Sequence, residues 1–146
     1  MLEIQQSGKL NIRYIEGTTA FAGNTIDLLN TQSIQEMPRF AVPGMEGNLF
    51  AIEIQGDSMT PTITNGDLMI CELLENNEPL RNNHVYIIVT DTVVAKRIQQ
   101  IKQDNQVVGL KLISDNDKVY KPYNVNVEEI RHILKVKCRL TTAGMN

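Results

Sequence analysis

The sequence lacks the marks of several large functional classes. No stretch approaches the ~20 consecutive apolar residues of a membrane-spanning helix. The first twenty residues show no apolar run behind a basic start, so no signal peptide is expected. There are only two cysteines, Cys71 and Cys138, in apolar-alternating contexts without metal-ligand spacing. They read as reduced thiols of a cytoplasmic protein rather than a disulfide, and no metal or cofactor is expected. Of the two histidines, His84 lies in an Asn-rich loop and His132 beside Arg131. Neither has an obvious carboxylate to orient it, which disfavours a Ser-His-Asp triad. Positive charge is also scarce: the net charge is −3. The densest basic run, Lys135, Lys137 and Arg139, alternates as one solvated strand face would. A surface that grips nucleic acid by itself needs clustered cations to neutralise phosphates, and none is expected here.

The chain does have enough apolar residues for one core. At 146 residues, 42% hydrophobic and 21% charged, it suits one globular domain. Residues 1–13 are polar and read as a linker or domain entrance, leaving 14–146 for the domain. Residues 18–30 begin with small residues, Thr-Thr-Ala-Phe-Ala-Gly, in an extended-compatible stretch, and continue as helix or irregular chain. Strand signals follow at 39–42, 49–54, 67–72 and 85–89, the last a continuous apolar run suited to a central strand. A turn at Asp91-Thr92 leads into 93–98, and 107–113 alternates after Asp104-Asn105. In the tail, the spacing of Ile130, Ile133 and Leu134 could suggest a helix. A single turn followed by a strand is preferred, with Leu134, Val136, Cys138 and Leu140 on one face. The expectation is a mostly-β, single compact domain of short, twisted antiparallel strands.

One local pattern carries chemistry. A strand ends at Ile54, and Gly56-Asp57-Ser58-Met59-Thr60-Pro61 then presents a serine at a turn, followed by Gly66-Asp67. A serine hydroxyl is a weak nucleophile until a base takes its proton. With histidine disfavoured, the candidate base is Lys96, in Val93-Val94-Ala95-Lys96-Arg97-Ile98. A free lysine titrates near ~10.4, and burial can lower that by up to ~3 to 5 units, enough for a base near neutral pH. The alternative is a solvated strand edge at Lys96 and Arg97, and spacing alone leaves both readings open.

Taken together, Gly-Asp-Ser-Met-x-Pro, Gly66-Asp67, the lysine of Ala95-Lys96-Arg97-Ile98, the upstream pair Ala22-Gly23 and the loop Ser114-Asp115-Asn116 resemble the LexA and phage-repressor self-cleaving peptidase family. The similarity runs from about Tyr14 to Leu140, closing with Glu129-Ile130 through Val136. The chain departs from the family in having Asn83-His84 where Gly-Asp is frequent, and Phe21 before the Ala-Gly pair.

The resemblance implies a LexA C-terminal-domain-like fold and a serine peptidase acting in cis. Ser58 would be the nucleophile and Lys96 the general base, with Gly56, Asp57, Met59 and Pro61 supporting the serine and the bond Ala22–Gly23 as the one cut. It further implies a repressor's regulatory domain that forms a homodimer, with a RecA-type filament as inducer. DNA would be bound only through a preceding helix-turn-helix domain. The alternatives are a UmuD-like self-processing accessory of an error-prone polymerase and a non-cleaving dimerisation module. Signal peptidases share the Ser-Lys chemistry but carry a membrane anchor, for which this sequence shows no segment.

Overall fold

The computed structural model describes residues 10–15, 37–75 and 77–141. Its strands are β1 (Ile12–Ile15), β2 (Arg39–Phe40), β3 (Leu49–Glu53), β4 (Leu68–Leu73), β5 (Val85–Val89), β6 (Val93–Gln103), β7 (Gln106–Ile113), β8 (Tyr123–Asn126) and β9 (His132–Leu140). They form one sheet in the order β2-β1-β3-β4-β9-β5-β6-β7-β8. The mostly-β architecture agrees with the expectation. One pair departs from the antiparallel scheme: β1 runs parallel to β3, with Ile12 opposite Leu49.

Local chemistry sets the β6–β7 turn and the entry to β9. The β6–β7 hairpin turns at Asp104 and Asn105, whose φ values of 51° and 64° suit the two residue types that best tolerate the left-handed region. Gln103 faces Gln106 across that turn. Before β9, a one-turn 3-10 helix covers Val127–Glu129, and the Glu129 carboxylate accepts the Asn126 N–H at its start. This is the single turn followed by a strand that the tail pattern suggests.

Burial sorts the strands. The run Val-Tyr-Ile-Ile-Val of β5 lies between β9 and β6, and Ile87 and Ile88 are fully buried on its opposite faces. β3 is buried along most of its length. Phe50 and Ile52 join one apolar cluster, Leu49 and Ala51 another, so both faces are covered. β1 begins at Ile12, inside the segment read as a domain entrance, and Ile12 is fully buried against Leu49, Ala51 and Ile70. The alternating basic residues of β9 do not simply face water. Lys135 pairs with Glu72 and Glu78, Lys137 with Glu72, and Arg139 with Asp67. Cys71 and Cys138 are both free thiols, and burial pushes the Cys71 thiol upward.

Candidate active site

The serine loop is built from contiguous sequence. It leaves β3 at Ile54 and returns at Asp67, and two backbone bonds pin its ends: Ile54 N–H to Asp67 O at 2.9 Å and Gly66 N–H to Ile54 O at 2.7 Å. Gly56 and Gly66 have φ of 91° and 92°, a region that side chains with a Cβ rarely adopt. The Gly56 N–H donates to Asn65 Oδ1 at 2.7 Å, and the buried Asp67 carboxylate accepts the Thr64 N–H at 2.7 Å. Met59 and Ile63, at 1% and 2% exposure, anchor the loop in the cluster that includes Ile52, Met69 and Ile87. Ser58, half-buried, therefore stands on a loop tied at both ends and nailed to the core. Among the described residues, neither its hydroxyl nor its N–H has a hydrogen-bond partner.

Lys96 reaches its position by pairing of distant strands. It lies opposite Tyr86 of β5, on the β6 face it shares with Val94 and Ile98. Arg97 pairs with Ile113, so the next step of the β6–β7 register brings Ser114 alongside Lys96. The Lys96 Nζ donates to Ser114 Oγ at 2.8 Å and lies 5.8 Å from the centre of the Tyr120 ring. Lys96 is 6% exposed, and among the described residues no carboxylate lies within ion-pair distance of it. Burial lowers its pKa below the ordinary lysine value. The solvated-edge reading of Lys96 is therefore wrong for this structure. It fits Arg97 better, since Arg97 is about one-third exposed and bonds Asp115 through both Nε and Nη2.

The segment after β7 joins the two parts. The Asn116 N–H donates to Ser58 O at 3.0 Å, and its Nδ2 to Asp57 O at 3.2 Å. The Asp115 N–H points at Met59 Sδ, and the Asp115 carboxylate also takes the Thr62 hydroxyl. Burial works to raise the Asp115 pKa, but the Arg97 and Thr62 donors outweigh it and hold the carboxylate below its usual range. The Tyr120 hydroxyl donates to Asp57 Oδ1 at 2.5 Å, and that bond holds the phenol above its ordinary value. Sequence reasoning named Ser114, Asp115 and Asn116 only as a family-like loop, and it missed Tyr120. The available signal was weak: Tyr120 follows Asn116 by four residues, and its N–H closes a turn on Asn116 O at 3.0 Å.

The hydrogen bond of Lys96 goes to Ser114, not to Ser58, among the described residues. Ala22 and Gly23 lie outside the described residues. Pro61 follows Thr60 through a cis peptide bond. An apolar recess of about 400 Å³, lined in part by Ile63, Met69, Val85 and Val136, adjoins the serine loop at Thr62 and Ile63. No helix among the described residues is long and apolar enough to cross a membrane.

The mostly-β domain thus carries a serine on a pinned loop and a buried lysine, joined through the segment after β7. The Peptidase S24-like family profile matches residues 15–137, and the chain belongs to that family, which comprises LexA, UmuD and phage-repressor C-terminal domains. No curated protein matches the chain.

Proposed function

We propose that this chain is a self-cleaving serine peptidase domain that cuts between Ala22 and Gly23. The observation that carries the reading is Lys96: buried, unpaired with any described carboxylate, and set beside the segment that holds the serine loop. Desolvation makes its neutral form accessible nearer to neutral pH. Neutral Lys96 Nζ takes the Ser58 hydroxyl proton while Oγ bonds to the Ala22 carbonyl carbon. The Ser58 N–H, unpartnered among the described residues, is available to stabilise the oxyanion. Collapse of the tetrahedral species breaks the Ala22–Gly23 bond, and Lys96 returns the proton to the Gly23 amine. Water then hydrolyses the Ser58 ester. Carrying the substrate in the same chain replaces a binding step, which can be worth ~7 to 11 kcal/mol when the geometry is near-attack.

In this reading the domain is the regulatory, dimerising half of a transcriptional repressor. A RecA-type filament biases the cleavage segment toward the site, and the cut separates a helix-turn-helix domain from the dimer. The test is a gel time course of the purified chain from pH 7 to 10. Cleavage is expected to speed up as Lys96 loses its proton, and to vanish in Ser58→Ala and Lys96→Ala. Fragments that form equally fast in both variants would overturn the assignment.

A further inference from the structure

A lysine that serves as a base must do more than lose its charge. The neutral amine has one lone pair, and rotation about Cε–Nζ can turn it away from the hydroxyl it has to deprotonate. Something must fix that rotation.

On the β6 face of Lys96 the flanking residues are Val94 and Ile98, which offer no polar atom. From β5 the facing group is Tyr86, whose hydroxyl is engaged with the Arg81 N–H at 3.0 Å. From the segment after β7, the Tyr120 ring covers Nζ at 5.8 Å, with Asp57 beyond it on the phenol. The neighbouring ion pair, Arg97–Asp115, is engaged with itself, with Thr62 and with Asn83 O. That leaves Ser114 Oγ, 2.8 Å from Nζ and 3% exposed, as the single hydrogen-bond partner of the amine among the described residues. Ser114 is also two residues from Asn116, whose N–H holds Ser58 O.

We propose that Ser114 is a positioning residue that fixes the Lys96 amine, and that the tripeptide Ser114–Asn116 thereby sets the spacing between the lysine and the serine loop. The proposal rests on the proposed function for its catalytic meaning. With one N–H committed to Ser114 and one side closed by Tyr120, the lone pair keeps a restricted set of directions, so less rotational freedom is lost in the transition state. Ser114 acts through Lys96 and does not itself touch the cut bond.

The experiment compares Ser114→Ala and Ser114→Thr in two measurements on the full chain. The first is the self-cleavage rate from pH 6 to 11. Ser114→Ala is expected to lower the high-pH plateau by about 10- to 100-fold, as a misplaced reacting group does, while Ser114→Thr stays within about threefold of the parent because it keeps the acceptor. The second is the Lys96 titration by lysine-labelled NMR in a Ser58→Ala background, where the chain stays intact. Loss of an acceptor that favours the ammonium should move the Ser114→Ala midpoint to lower pH, an effect that loosened packing alone would not produce. A Ser114→Ala chain with the parental plateau, or with the parental Lys96 midpoint, overturns the proposal. If Ser58→Ala still self-cleaves, the peptidase assignment fails instead, and the Lys96 titration continues to judge whether Ser114 holds the amine. Should Ser114→Ala melt early, Ser114→Cys, nearly isosteric and a weak acceptor, is expected to give the same two shifts.

Discussion

The serine loop and the lysine strand hold their side chains by different means. Ser58 is fixed by chain within about ten residues of it: two glycines at positive φ, the Asp67 carboxylate on Thr64 N–H, and the Met59 and Ile63 anchors. Lys96 has no such local frame. Its surroundings come from Tyr86 on one neighbouring strand and from Ser114 and Tyr120 after the other. Ser58, set by a tight loop, is insulated from much of the sheet. Lys96, set by strand pairing, inherits every shift in register, and the 114–120 segment is where the two are tied.

The largest effects are expected at the two residues themselves. Ser58→Ala and Lys96→Met should each reduce self-cleavage by roughly 10⁴-fold or more, yet their effects on stability should differ. Ser58→Ala removes a half-buried hydroxyl with no described partner and should leave the melting temperature unchanged. Lys96→Met removes a desolvated cation and should melt at or slightly above the parent at pH 7. The sign follows from linkage. The folded Lys96 pKa is below the unfolded value of ~10.4, so between the two the unfolded chain binds more protons and stability rises with pH. Below the folded pKa the full cost of the buried charge is present. The parent should therefore gain stability relative to Lys96→Met as pH climbs through that window, which urea melts at pH 7, 9 and 10 would measure.

A smaller effect is expected at the tie. Asn116→Ala deletes the Nδ2 bond to Asp57 O while leaving its own N–H on Ser58 O. Cleavage should fall by about tenfold, with about 1 kcal/mol of stability lost. A rate unchanged by Asn116→Ala would show that the serine loop does not depend on the Asn116 Nδ2 bond to Asp57 O. Gly66→Ala probes the ends of that loop: at φ 92° it should cost ~1 to 2 kcal/mol by denaturant melt. The smallest effect belongs to the β9 surface pairs. Lys135→Ala should shift the melting temperature by ~1 °C or less in 0.15 M salt, because these half-buried pairs are still reached by water and screened by salt.

Much of the sheet is legible along the chain. Val85–Val89 reads as a central strand because five apolar residues in a row need cover on both faces, and the Asp104-Asn105 turn is set by side chains that tolerate positive φ. β1 and β8 are harder to see. Ile-Arg-Tyr-Ile and Tyr-Asn-Val-Asn are four residues each, too short for periodicity, and they become strands because β3 and β7 offer edges to pair with. The serine box is visible as a motif, whereas the roles of Ser114, Asn116 and Tyr120 are not, since each depends on a partner 18 to 63 residues away.

The sequence by itself determined the serine and the loop that bears it. Glycine, proline and short polar side chains dictate backbone conformation within a few residues, so a serine mounted on them can be read locally. The same sequence left Lys96 undecided between a solvated edge and a buried, desolvated side chain. Only the tertiary structure decided that, because a lysine's pKa depends on how much water surrounds it, and the groups that exclude water here arrive from strands that meet only in the folded sheet.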